Sequence, residues 1–223
     1  MFRPLISIFV ILMVACHAPL KSSVLQPTSP NWEKEIRAFE EADRTHSPPR
    51  GAILFIGSSS IRMWKTLAVD FPEHQVINRG FGGSQIIDSV YYADRIIFPY
   101  SPRRIVFYAG GNDINAGKSP AQVFADFHLL ADTIWRREPR TRLAYISIAP
   151  NPKRWEQIEK TREVNRLVKN WAGDESRLVF IDVSKEMLGP DGLPRPEIFL
   201  PDRLHMNDKG YEIWKHVVQP YLD

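Results

Sequence analysis

Ala52-Ile53-Leu54-Phe55-Ile56-Gly57-Ser58-Ser59-Ser60-Ile61 sets an unbroken apolar run against a glycine and three serines. The run is short enough for a strand, and the glycine and serines mark a sharp turn out of it into a helix beginning near Ile61. Similar apolar runs recur at Gln75 to Asn78, Arg104 to Tyr108, Leu143 to Ile148 and Leu178 to Asp182. Helical patterns fill the gaps between them. Ser119-Pro120-Ala121-Gln122 reads as an N-cap, a proline at the first helical position and a capping-box glutamine, followed by Val123, Phe127, Leu130, Ile134 and Trp135 on one face. A second helix is expected to carry Trp155, Ile158, Val164, Leu167, Val168 and Trp171, and a last one runs from about Asn207 to Gln219. These aromatic stripes are core. Strands separated by helices require parallel βαβ units, so the expected fold is a three-layer α/β/α sandwich around an open sheet.

If the strand order is the flavodoxin-like 2-1-3-4-5, ligands bind outside the carboxyl ends of strands 1 and 3, where the winding reverses. Ser59 leaves strand 1 and Asn112, in Gly110-Gly111-Asn112-Asp113, leaves strand 3. Ser59 at the start of a helix faces backbone N–H groups that favour negative charge. Ser58 and Ser60 compete with it as nucleophile, and Ser60 is expected to cap the helix. Near the other end of the chain stands Asp202-Arg203-Leu204-His205. A serine hydroxyl is a weak nucleophile at neutral pH unless an imidazole accepts its proton, and a carboxylate that fixes the imidazole tautomer completes the device. Asp202 as a mere helix cap fits worse, because Asn207 or Asp208 stands closer to the last helical pattern. His17, His46, His74, His128 and His216 lack such a neighbourhood, and His128 reads as structural or solvated.

Asn78-Arg79-Gly80-Phe81-Gly82-Gly83-Ser84 follows the second apolar run. Alone it reads as a turn. Taken in order, the Ser59, Gly83, Asn112 and His205 segments resemble the SGNH (GDSL-type) hydrolase family over about residues 52 to 219. Within that family the chain looks most like the platelet-activating-factor acetylhydrolase-like branch. The resemblance implies a five-stranded parallel sheet with Ser59 as nucleophile, His205 as general base and Asp202 as its partner. It also implies an oxyanion hole made of the backbone N–H groups of Ser59 and Gly83 and the side-chain amide of Asn112. Ser58 stands where the family carries aspartate, a departure that leaves the nucleophile in place. The chemistry implied needs no metal and no cofactor.

At 223 residues the chain suits one domain with extensions. A net charge of +3, from 29 basic and 26 acidic residues scattered among one another, argues against nucleic acid as a partner. Arg3 followed by an apolar run from Leu5 to Val14 is too short to span a bilayer and fits a secretory signal over residues 1–15. Leu12-Met13-Val14-Ala15-Cys16 resembles a bacterial lipoprotein signal, in which the new N-terminal cysteine carries lipid. Cys16 is the single cysteine and has no internal disulfide or metal partner. Residues 16–30, rich in proline and serine, then read as a tether, and 31–223 as the hydrolase domain, opened by a docking helix bearing Trp32, Ile36 and Phe39 and stopped by Ser47-Pro48-Pro49. The expected protein is an exported serine esterase held at the bacterial cell envelope, periplasmic or outer-membrane associated, by a lipid anchor at its N-terminus. Its partner is a small-molecule ester or an acetylated carbohydrate. Acetyl transfer to a sugar acceptor uses the same acyl-enzyme. The alternative from another class is a surface-tethered binding protein that kept the fold and lost catalysis; loss of Ser59, Asp202 or His205 would favour it, and all three are present, while a flavin-binding module using the Gly57 to Ser60 turn leaves Asp202 and His205 unexplained.

Overall fold

The structure is a computed structural model that describes residues 25–223; the expected signal segment and Cys16 lie outside the described residues. Five parallel strands, β1 (Ile53–Gly57), β2 (Val76–Gly80), β3 (Arg104–Tyr108), β4 (Arg142–Ile146) and β5 (Leu178–Ile181), pair in the order β2-β1-β3-β4-β5. β1 lies between β2 and β3, and all five of its residues are buried. That explains why its sequence is apolar without alternation: both faces of a parallel sheet are covered by helices.

The two faces divide the core. Leu54, Ile56, Ile105, Phe107, Leu143 and Tyr145 point to one side. There they meet α1 (Trp32–Thr45), α4 (Ile86–Tyr91), α5 (Ala93–Ile96), α7 (Pro120–Arg137) and α8 (Ile158–Asp174). Ile53, Phe55, Val106, Ala144, Ile146 and Ile181 point to the other, against α2 (Ser59–Arg62), α3 (Leu67–Asp70) and α9 (Asp208–Val218). A short helix, α6 (Gly111–Asn115), leaves β3 at the carboxyl edge. An aromatic cluster of Phe55, Trp64, Phe71, Tyr211 and Trp214 fills the second side, with ring centroids 5.5–6.4 Å apart.

Capping follows the sequence signals at two helices. Ser119 and Gln122 form the capping box of α7, and the Asn207 side chain accepts from Lys209 N and Gly210 N at the start of α9. The helix read through Trp155 needs correction. Pro152–Gln157 is a 3₁₀ segment interrupted at Arg154, and α8 begins only at Ile158. Trp155 is therefore half-buried outside the core, with the Arg162 guanidinium over its ring at 5.9 Å. His128 stacks on Trp171 at 4.6 Å and faces Asp132 at 3.3 Å, on a half-exposed surface.

Helix α1 packs on one face of the sheet, with its first turns beside the glycine segment that follows β2. Ile36 is fully buried, and Arg95 pairs with Glu33 and Glu40. Trp32 meets Phe81 edge to face at 6.0 Å, and the Glu35 carboxylate accepts the Gly82 N–H at 3.1 Å.

Candidate active site

β1 delivers Ser59 through a turn that only glycine can make. Gly57 has φ +130°, and a Cβ there would stand 1.9 Å from the Tyr108 carbonyl oxygen of the adjacent strand. Immediately afterwards the Ser58 N–H donates to that same Tyr108 oxygen at 2.9 Å, and α2 starts at Ser59. Ser58, buried in extended conformation, holds the N-cap position. The expectation that Ser60 caps this helix is thereby corrected. Ser60 lies inside α2, and its carbonyl accepts from the Tyr211 hydroxyl at 2.9 Å.

The loop after β5 brings the distant pair to the same place. Phe199 and Met206 form an antiparallel bridge, Leu200 N donates to His205 O at 2.7 Å, and Arg203 takes a left-handed φ of +59° at the tip. This tight turn lets Asp202 Oδ1 accept both Leu204 N (2.9 Å) and His205 N (3.0 Å) while Oδ2 meets His205 Nδ1 at 2.6 Å. On the other side of the ring, His205 Nε2 lies 2.9 Å from Ser59 Oγ. Partial burial works against ionisation of Asp202, but the bonds from the His205 ring and the two backbone N–H groups outweigh it and bring its pKa to about 2. An ionised carboxylate only accepts hydrogen bonds, so Nδ1 carries the ring proton and Nε2 is left to accept from the Ser59 hydroxyl.

Asn112, on α6, faces the same cleft. Its Nδ2 donates to Ser84 O at 3.0 Å, and its Oδ1 accepts from Arg154 Nη1 at 3.0 Å. A guanidinium has only donors, so the Arg154 bond fixes which end of the amide is oxygen and leaves the second Nδ2 hydrogen free. The next residue, Asp113, anchors this helix. It is fully buried, accepts Ile86 N at 3.2 Å and pairs with Lys118 at 2.9 Å.

The glycine segment is held firmly, and its three amides are not equivalent. Gly80 N donates to Asn78 Oδ1 at 2.9 Å, and Gly82 N is taken by Glu35. Gly83, at φ +77°, finds no acceptor for its N–H among the described residues, and neither does Ser59. Gly83 is not itself a wall of the cleft; its neighbour Ser84 is tied to Asn112.

Sequence reading missed Arg154 and Tyr108, which line the cleft with Ser59, Asn112 and His205. Arg154 was discoverable, because Asn151 to Arg154 follows a parallel strand at its carboxyl end, where ligands gather.

A family model described as GDSL-like Lipase/Acylhydrolase matches residues 49–213. Platelet-activating factor acetylhydrolase IB subunit alpha1 of Homo sapiens is 25% identical over 172 residues, covering 71% of this chain and 70% of that protein. Among solved structures, a Streptococcus pneumonia protein whose name refers to platelet activating factor superposes with a TM-score of 0.76 at 21% identity. The match covers 86% of this chain and 95% of that one. A GDSL-like lipase from Bacteroides thetaiotaomicron gives 0.70 at 17% identity, over 84% and 96%. Ser59, Gly83, Asn112, Asp202 and His205 all fall inside the matched segment, and the chain belongs to the GDSL-like lipase/acylhydrolase family of serine ester hydrolases.

Proposed function

We propose that the protein is an exported esterase that removes short acyl groups of the acetyl type from carbohydrates or small lipids through an acyl-serine intermediate. The observation that carries the mechanism is the continuous relay from Ser59 Oγ to His205 Nε2 at 2.9 Å and from His205 Nδ1 to Asp202 at 2.6 Å. Ser59 attacks the acyl carbon as His205 takes its proton, and the negative charge moves onto the former carbonyl oxygen. That oxyanion is met by the free N–H of Ser59 and by the Asn112 amide, which line the cleft, with the free N–H of Gly83, set behind the cleft wall next to Ser84, assigned as the third donor. His205 then gives its proton to the departing alcohol, and water repeats the sequence to release the acid. Asp202 stays ionised throughout and stabilises the imidazolium.

The preference for a short acyl chain rests on compact catalytic loops and on a similarity to an acetylhydrolase. With no long apolar tunnel among the described residues, extra methylenes stay partly in water and forgo the roughly 0.8 kcal/mol that burying each one contributes. For p-nitrophenyl esters of two to twelve carbons, measured without detergent, kcat/KM is expected to peak between acetyl and butyryl. A maximum at eight carbons or longer contradicts the short-chain reading.

Export rests on Arg3, the apolar run from Leu5 to Val14 and Ala15-Cys16. Mass analysis of the mature protein from a bacterial membrane fraction is expected to find a lipid-modified Cys16 as the first residue. A mature chain starting elsewhere defeats the anchor, and an unprocessed Met1 in a soluble fraction defeats export.

A further inference from the structure

Arg154 is the one permanently charged side chain lining the catalytic cleft, and no aspartate or glutamate lines it among the described residues. Its guanidinium offers five N–H donors. One bond is formed, from Nη1 to Asn112 Oδ1 at 3.0 Å, and no carboxylate pairs with it among the described residues. Nη1 stands close over the chain at Gly111, where an added Cβ would lie 3.6 Å from it. Half-buried and without a carboxylate partner among the described residues, Arg154 is desolvated, and this burial pushes its pKa below the ordinary arginine value against weaker opposing attraction from Tyr108 and Glu156.

Holding the Asn112 amide does not require this charge. The bond to Oδ1 uses one neutral acceptor and one N–H, so the charge and the remaining N–H donors of the guanidinium are in excess of this structural task. The charges around it are mixed: Glu156 is acidic, and the ionised Asp202 on the His205 loop is already engaged by the His205 ring and two backbone N–H groups. Lys153 N donates to Arg203 O at 3.0 Å, placing two further basic residues, both exposed, beside the loop that carries His205.

We infer that Arg154 reads an anionic group, a carboxylate or phosphate, on the alcohol portion of the ester substrate. This rests on the esterase reading above and names its substrate class: acetyl esters of acidic sugars or of phosphate-bearing small molecules. With the acetyl group on Ser59 and its oxygen against Asn112, an anion on the alcohol portion meets the free N–H donors of Arg154 beyond Asn112. A planar two-pronged donor suits both carboxylate and phosphate.

The test compares 4-acetoxybenzoate with its neutral methyl ester, and separately 4-(phosphonomethyl)phenyl acetate with its neutral diester. The two pairs distinguish carboxylate from phosphate. The quantity read is the ratio of kcat/KM for the anionic over the neutral member, in the wild-type protein and in Arg154→Gln and Arg154→Lys. Comparing ratios between proteins cancels the intrinsic reactivity of each ester and any loss of folded material. Arg154→Gln is expected to lower the ratio by between about 10- and 100-fold for at least one pair, as loss of a hydrogen bond to a charged group does, and Arg154→Lys is expected to restore part of it. If both members of each pair fall by the same factor in Arg154→Gln, the residue only positions Asn112 and the inference fails while the esterase reading stands. If the wild-type protein hydrolyses none of the four esters, nor p-nitrophenyl acetate, the esterase reading itself fails.

Discussion

Ser59→Ala is expected to lower kcat on p-nitrophenyl acetate by about 10⁶-fold, the loss typical when the nucleophile is removed from a serine relay. The size follows from interdependence. Without the hydroxyl there is no acyl-enzyme, so the imidazole and carboxylate have nothing to activate, and what remains is the contribution of binding and the oxyanion donors. The neighbouring serines make the prediction specific. Ser58 is buried at the N-cap with no side-chain cap bond, and neither Ser58 nor Ser60 has a hydrogen bond to the His205 ring, which meets Ser59. Ser58→Ala and Ser60→Ala are therefore expected to retain acyl-enzyme formation. A Ser59→Ala protein with near-native kcat would move the nucleophile to another residue.

Asn112→Ala is expected to reduce kcat about 10²- to 10³-fold, as loss of one oxyanion donor does, with a much smaller change in KM. The split is informative because Asn112 also has a structural bond, from Nδ2 to Ser84 O. Losing that bond costs folding on the order of 1 kcal/mol, which thermal unfolding resolves separately from the rate. A lowered unfolding temperature with unaltered kcat would reduce Asn112 to a tie between α6 and the glycine segment.

The architecture was legible because its strands are buried on both faces and its helices on one, so that period and length separate them without ambiguity. Errors fell where side chains take over from the sheet ladder. β1 runs one residue past its apolar stretch because Gly57, though a turn residue by type, still pairs with Gly80 and Tyr108. β2 extends through Arg79, a residue that reads as a loop; its guanidinium is satisfied by Asp43 and by the Tyr100 hydroxyl. β4 stops at Ile146, short of the apolar Ile148, because the Asn165 side chain of α8 captures both Ile148 N and Ile148 O, at 2.8 and 3.0 Å.

At the site, the relay residues were readable because each carries its chemistry in its own side chain. Gly83 was legible only through the family resemblance and not from its own residue chemistry, since its contribution is a backbone N–H, left free while Asn78 and Glu35 occupy the amides of Gly80 and Gly82. Glu35 lies on α1, far away in sequence, and no local pattern points from it to the glycine segment. Ser60 was misplaced for a related reason. The turn starts earlier than hydroxyl propensity suggests, because the close approach of Gly57 to Tyr108 ends the strand in a single residue.

The measurement that bears most directly on the relay is covalent labelling of the purified wild-type protein with a fluorophosphonate, followed by peptide mass analysis. A phosphonyl group enters only at a hydroxyl activated as a nucleophile, so a single adduct on Ser59 is the expected result, abolished by His205→Ala. Failure to label, or an adduct on Ser58 or Ser60 with Ser59 unmodified, would contradict the account.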